Sequence, residues 1–180
     1  MPGSWTSCGS SWTGRPVSDD RRVPGRGAER DMLGNFLDYL RESVTLKVAG
    51  LSEEDIRRKL VPSLTTIGGL LLHLRWVEHY WFEHVLAGRP CGAPWGPADW
   101  DADFRLTGTD TLDALVADYA RQCEVSRSLA WRYELDHESD DPHGGIVTVR
   151  WILLHLVEET ARHAGHLDIL REQIDGVTGR

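Results

Sequence analysis

The sequence contains little cysteine. Its three cysteines, Cys8, Cys91 and Cys123, are spread over 180 residues. Because they are odd in number, far apart and outside any Cys-x-x-Cys arrangement, they predict free thiols and exclude a disulfide framework or a zinc knuckle. Neither Cys91 nor Cys123 has a His or Lys at helical spacing to activate it, so no cysteine nucleophile is expected.

Basic residues and long apolar segments are also scarce. The chain has 20 Lys and Arg against 28 Asp and Glu, a formal net charge of −8. This balance, without any basic run interleaved with aromatic residues, argues against nucleic acid as a partner. No apolar segment approaches the ~20 residues that span a bilayer, so no membrane partner is expected. The start, Met1–Trp5, lacks the apolar stretch of a signal peptide, and the cytoplasm is the expected location.

The N-terminal part of the chain has no apolar periodicity. Residues 1–28 are rich in Gly, Ser, Pro and Arg, a composition that predicts a flexible tail. The length of the remainder, 29–180, suits one domain with a core of its own.

Helical periodicity dominates the rest of the sequence. Apolar residues recur at steps of three and four in four long segments. These predict helices over about 29–48, 65–86, 110–133 and 151–174. Strand-like alternation is confined to Ile146–Val149, and the acidic residues 136–145 are predicted to form a loop. The predicted fold is therefore all-α, a four-helix bundle, whose interior is a common place for a metal site.

One long irregular connection joins the second and third long helices. It covers residues 88–108 and carries Trp95, Trp100 and Phe104. Connections of this length in a compact domain are usually functional or disordered. Three large aromatic side chains favour a loop that docks on the domain and covers a site.

The last predicted helix carries two ionisable residues within its apolar stripe. The stripe is marked by Ile152, Leu156, Leu167, Leu170 and Ile174. Glu159 and His163 occupy the steps between these residues, and all seven positions lie within roughly 80° of the helix surface. A buried carboxylate or imidazole needs a partner, and side chains four residues apart on a helix can bind one ion.

Glu159 and His163 therefore predict a site for a divalent metal. Two alternatives stay open at this point: Glu159 pairs with an arginine of another helix, or His163 is a hydrogen-bonded core histidine. His155 and His166 lie about 40° and 20° away on the flank of the stripe. His155 could reach the same centre from one turn below, whereas His166 better suits a supporting or substrate-facing role.

The second long helix contributes one further histidine at the edge of its buried stripe. His73 lies one turn from Leu70 and Val77. His84 lies on the same edge about 16 Å away, at 1.5 Å per residue, so one metal cannot bind both. His79 points the opposite way and is expected to be solvated.

These patterns resemble the DinB-like superfamily. The segment Leu71–Leu74, followed by Glu78–Phe82, is similar to the superfamily's second long helix. The segment His155–Glu172, with Ile174–Gly176 beyond it, closely resembles an actinobacterial branch of unknown function, the mini-circle proteins. Asp101–Phe104 in the long loop is also similar to that branch. The resemblance extends from about residue 30 to residue 180.

The resemblance implies a DinB-type four-helix bundle with three metal ligands near one end. One ligand comes from the second long helix and two come from consecutive turns of the last. Carried over residue by residue, these positions are His73, Glu159 and His163. The carboxylate replaces the commoner histidine, as in the related N-terminal domains of mycothiol-dependent maleylpyruvate isomerases. Zinc is the expected metal, with nickel or iron as alternatives, and three ligands leave an open position, which is typical of a catalytic metal.

The expected function is a metal-dependent thiol S-transferase or isomerase acting on a small electrophile. The resemblance implies a low-molecular-weight thiol, such as mycothiol or bacillithiol, as co-substrate. His166 and His155 are candidates for a supporting role, and no catalytic residue is assigned. One alternative is a hydrolase with a metal-activated water. Another is a non-catalytic metal-containing binding or stress-response bundle, which a fourth protein ligand such as His155 would favour. Bundles of this kind often pair through a helix face, so a homodimer is a further expectation.

Overall fold

The computed structural model of the chain describes residues 23–178. The predicted flexible tail falls mostly on residues 1–22, which lie outside the described residues, as do residues 179–180. Among the described residues, no helix is long and apolar enough to cross a membrane.

The described chain is mainly helical, as the periodicity predicts. It forms four α-helices: α1 Glu29–Val48, α2 Ile67–Glu78, α3 Leu112–Ala130 and α4 Val149–Asp175. Their bounds agree with the predicted segments to within a few residues, except that α2 ends early. Threonine hydroxyls accept hydrogen bonds from backbone N–H groups at the starts of α2, α3 and α4, the usual N-cap arrangement. These caps are Thr66, Thr111 and Thr148.

The helix predicted over 65–86 changes its period after Glu78. The chain continues directly into a π-helical segment, His79–Leu86, in which hydrogen bonds reach five residues instead of four. His79 is half-buried there, with Nδ1 3.1 Å from Glu83 Oε1 and the ring edge-on to Trp76. The prediction of a solvated His79 is therefore wrong, because Glu83 and Trp76 enclose its ring.

A small antiparallel hairpin joins α3 to α4. The strands β1 Glu138–Asp141 and β2 Gly145–Thr148 pair with Glu138 opposite Thr148. The strand-like alternation at Ile146–Val149 overlaps β2, but no strand was predicted there and the acidic partner was predicted as loop, so the all-α prediction needs this correction. Asp and Glu have low strand propensity. The tertiary fold offsets that preference: Asp141 is buried and accepts a 2.6 Å hydrogen bond from the Tyr80 hydroxyl.

The core lies where α1 packs against α4 and α2 packs against both α3 and α4. The predicted stripe of α4 faces this core, with Ile152, Leu156, Leu167 and Leu170 all buried. Fully buried residues of the other helices include Leu37, Leu74 and Tyr119. The α2/α4 contact matters most for function, because it brings the predicted site residues of the two helices to one place.

The long loop docks on the first turn of α2. An added Cβ on Gly69 would lie 2.6 Å from the Phe104 carbonyl oxygen, and one on Gly68 would lie 2.5 Å from Leu106 Cδ1. The Phe104 carbonyl is backbone and could move only with the loop, so Gly69 allows the loop to approach the helix closely. At Gly68 the Leu106 side chain could shift, but the Ile56 carbonyl would also lie 3.1 Å from the added Cβ. The loop forms a 3₁₀ turn at this place, Ala102–Phe104.

A buried ion pair joins α1 to the end of α2. Arg41 donates two hydrogen bonds of 2.7 Å, from Nε and Nη2, to the two oxygens of Glu78. The side chains are 5% and 1% exposed. Arg41 Nη1 also donates to Asp38 Oδ1 at 2.9 Å. A bidentate pair of this geometry satisfies both oxygens of the carboxylate.

We expect Glu78→Ala to lower the free energy of unfolding by about 3–5 kcal/mol, because it leaves the Arg41 charge buried without its main partner. Denaturant unfolding followed by circular dichroism measures this change. Glu124→Ala is the matched control, since Glu124 pairs with Arg127 at the surface and such pairs contribute about 0–1 kcal/mol. Equal losses in the two variants would contradict a structural role for the buried pair.

Candidate metal centre

Three ionisable side chains converge where α2 packs on α4. His73 comes from α2, and Glu159 and His163 come from consecutive turns of α4. His163 Nε2 lies 3.0 Å and His73 Nε2 lies 3.3 Å from the same oxygen, Glu159 Oε1. One donor atom from each of the three lies within 4.8 Å of the others. The structure thus brings the three residues singled out in the sequence together, as one three-residue group.

This group lies at the edge of the core, within reach of solvent. The side chains of His73, Glu159 and His163 are 15%, 12% and 11% exposed. Their backbones belong to buried stretches of α2 and α4, where the apolar neighbours hold the helices in register. A small ion or substrate could therefore approach from outside without unfolding either helix.

Each histidine of the group is held at its far nitrogen. His73 Nδ1 lies 2.6 Å from Asp103 Oδ2, and His163 Nδ1 lies 3.3 Å from His166 Nδ1. Both Nε2 atoms consequently face the Glu159 carboxylate. Two imidazole nitrogens and one carboxylate oxygen, with partners on the far nitrogens, are a donor set that suits zinc, nickel or ferrous iron.

The short hydrogen bonds within the group shift the pKa values of Glu159 and His73. Hydrogen bonds from His163 and His73 hold the pKa of Glu159 well below its usual range. Burial lowers the pKa of His73, but the hydrogen bonds to Asp103 and Glu159 outweigh it and raise that pKa overall. Glu159 is therefore ionised at neutral pH. Its arginine partner is Arg162 of its own helix, with Nη1 3.3 Å from Oε2, not an arginine of another helix.

Sequence reasoning missed the two loop residues that hold His73. Asp103 is 1% exposed and binds the ring nitrogen, while the Phe104 ring stacks on the imidazole at 4.3 Å with an angle of 19°. The signal for both residues was the family resemblance of Asp101–Phe104. A separation of 30 residues along the chain gives no local pattern that links Asp103 to His73.

The two candidate supporting histidines lie in different surroundings. His166 touches His163 and is exposed; desolvation and the neighbouring His163 lower its pKa. His155 instead stacks on Trp151 at 5.0 Å and meets Trp81 edge-on at 4.9 Å. The group that could hold a metal ion has three members among residues 23–178, and His155 is not one of them.

Two clefts in the described part of the chain lie away from this group. One, of about 130 Å³, opens between α1 and α3 beside Arg41, Ser126 and Trp131. The other lies at the opposite end of the same two helices, beside Val48 and Leu112. Neither contains a residue of the three-residue group, so these clefts do not decide between an enzyme and a binding protein.

Comparison with solved structures supports the fold. A crystal structure described as a conserved protein from Enterococcus faecalis superimposes with a TM-score of 0.68 and 14% sequence identity. The match covers 84% of this chain and 100% of that one. Identity at this level establishes the likeness of the folds alone. A search of the curated proteins gave no match.

Comparison with sequence families identifies the chain more closely. The family model described as Mycothiol-S-transferase matches residues 32–176. The matched stretch begins within α1 and ends just after α4, so it contains all three residues of the group and the loop that holds His73. The chain belongs to the mycothiol-S-transferase family.

Proposed function

We propose that this protein is a metal-dependent S-transferase that joins mycothiol, or a closely similar thiol, to a small electrophile. Isomerisation of a thiol adduct belongs to the same proposal, because it uses the same activated sulfur. The observation that carries it is the convergence of His73, Glu159 and His163 in a chain of the mycothiol-S-transferase family. The proposal includes the finer fold assignment, a DinB-type four-helix bundle of the mini-circle branch.

His73 Nε2, His163 Nε2 and a Glu159 oxygen would hold one divalent metal, with zinc expected. Bound there, such an ion lowers the pKa of a thiol so that the reactive thiolate is present at neutral pH. Three protein donors leave room for a substrate atom, the arrangement typical of catalytic and not of structural sites.

The neighbouring residues orient His73 and accept the proton of the substrate thiol. Asp103 and Phe104 fix the His73 ring. His166 lies beside His163 on the solvent side, and its lowered pKa keeps it neutral at pH 7. A neutral imidazole accepts a proton, so His166 is the proposed base for the thiol of the substrate.

Arg162 is an exposed cation beside the three-residue group. It pairs with both Glu158 and Glu159 and is exposed. An acidic group on the electrophile would meet its guanidinium there. The proposed location is the cytoplasm, where thiols are kept reduced, and a homodimer through a helix face stays a prediction.

We expect the protein, purified without a metal-binding tag, to contain about one equivalent of a transition metal, as a three-ligand site implies. Glu159→Ala, His163→Ala and His73→Ala should each lose it, because two remaining donors bind weakly. Elemental mass spectrometry measures the content. His137→Ala, which removes an exposed histidine outside the group, should keep the metal.

The stability of the metal-free protein provides a second readout. Zinc at about 100 times its dissociation constant should stabilise the wild type by about 2.7 kcal/mol, and should leave Glu159→Ala unchanged. A wild type that contains no metal and gains no stability from zinc or nickel would contradict the metal proposal. The three residues would then be a buried polar cluster.

We expect the metal-loaded protein to consume mycothiol in the presence of a small alkylating electrophile. Glu159→Ala should lower kcat/KM at least about 100-fold, since metal ions contribute several kcal/mol to such steps. Thiol consumption, followed with mycothiol and with bacillithiol in parallel, measures the rate and the preference. His137→Ala should react at the wild-type rate. A protein that holds the metal but turns over neither thiol would favour the non-catalytic binding bundle.

A further inference from the structure

We propose that Asp103 is a positioning residue that sets the metal affinity of the site through His73, and that Phe104 and the paired glycines of α2 hold it in place. The inference rests on the metal-binding part of the proposed function. In this proposal the long loop supports the metal ligand His73 by binding the ring nitrogen that faces away from the metal.

The contact between Asp103 and His73 has only one chemically sensible direction. An ionised carboxylate accepts hydrogen bonds and cannot donate them, so the 2.6 Å contact requires the proton on His73 Nδ1. Without a metal ion, Nε2–H donates to Glu159 Oε1 at 3.3 Å; an ion bound in place of that proton would take the Nε2 lone pair of the neutral ring. Asp103 thereby selects the one neutral form of His73 that can bind a metal ion at the centre of the group.

The burial of Asp103 makes this contact strong. Asp103 is 1% exposed, and its Oδ1 is a buried oxygen without a hydrogen-bond partner in the described part of the chain. A buried carboxylate with an unsatisfied oxygen is costly unless a nearby positive charge compensates it. His73 supplies a hydrogen bond to Asp103, and a cation bound on the far side of the ring would supply the charge. Binding of the cation would thus stabilise Asp103 as well as the three ligands.

Phe104 removes the remaining freedom of the His73 ring. The two rings stack at 4.3 Å and 19°, while the His163 ring lies edge-on to His73 at 4.8 Å and 6.5 Å from Phe104. Phe104 thus covers one face of the imidazole, whose two nitrogens contact Asp103 and Glu159. Rotation of the ring would break the hydrogen bond and the stacking together.

The first turn of α2 sets how closely the loop approaches the helix. Gly69 is one turn before His73, and the Phe104 carbonyl lies where its Cβ would be, at 2.6 Å. Leu106 occupies the corresponding place over Gly68. A side chain at Gly69 would push the 3₁₀ turn, and Asp103 with it, away from the ring. The two glycines thus position the loop, and the loop positions His73.

Zinc affinity of the metal-stripped full-length chain, measured by competition with a chelator, tests the proposal. We expect Asp103→Asn to weaken zinc binding about 10–100-fold, the usual effect of removing the carboxylate behind a metal-bound histidine. Gly69→Ala should weaken it in the same direction, although it touches no ligand. Asp101→Asn is the matched control: it makes the same chemical change two residues away at an exposed position, and should leave the affinity unchanged within about twofold.

A double-variant cycle separates positioning from a general effect on stability. If Asp103 acts through His73, adding Asp103→Asn to His73→Ala should weaken zinc binding no further than His73→Ala alone. Additive losses would overturn the proposal. Thermal unfolding of each variant without metal shows whether it is folded.

The tautomer of His73, that is, which ring nitrogen carries the proton, can be measured in the metal-free wild-type protein. In long-range ¹H–¹⁵N spectra recorded above the pKa of His73, where the ring is neutral, the wild type should show the proton on Nδ1. Asp103→Asn should shift part of it to Nε2. A wild-type ring with its proton on Nε2, or unchanged zinc affinity in Asp103→Asn, would overturn this inference alone. A wild type that binds no zinc would overturn the proposed metal function and the affinity claim together.

Discussion

A negative charge on the core-facing stripe of α4 is the constraint on which the site depends. Glu159 lies between apolar residues that pack against α2, and an ionised carboxylate in that position needs positive or hydrogen-bonding partners. His163, one turn along, and His73, across the helix contact, both supply them to the same oxygen. His73 in turn needs a partner on its other nitrogen, and Asp103 provides it from the long loop. One carboxylate thus organises two helices and a connection.

Arg41 and Glu78 form a second buried charge cluster. Comparing it with the group around Glu159 explains why the latter resembles a metal site and the former does not. Arg41 binds Glu78 through two parallel hydrogen bonds and is permanently charged, so both partners are saturated and inaccessible. The histidines around Glu159 have lone pairs that can bind an ion, and their side chains reach solvent. The first cluster stabilises the α1/α2 contact. The second has the chemistry of a ligand set.

Fold likeness alone would not indicate a reaction. The structure similar to this one shares 14% of its residues, and one fold supports many functions. Support for a thiol transferase comes instead from the family match together with the donor atoms that α2 and α4 place within 4.8 Å of one another. The clefts between α1 and α3 contain none of these three residues.

Sequence by itself determined the four helices and the helix faces, because 3.6-residue periodicity is a local property that each segment carries independently. The same periodicity placed Glu159 and His163 on one face of α4, and the family resemblance added His73. Tertiary structure alone decided the acidic strand Glu138–Asp141, the enclosure of His79, and the pairing of Asp103 with His73. Asp141 of the strand bonds Tyr80, and Asp103 bonds His73, 61 and 30 residues away along the chain, and such contacts leave no periodic signal in the sequence. His79 is enclosed by near neighbours, Trp76 and Glu83, where the chain takes a π-helical period that the 3.6-residue pattern does not predict. Local periodicity placed His73, Glu159 and His163 on their helix faces, and long-range packing of α2 on α4 brought the three side chains together.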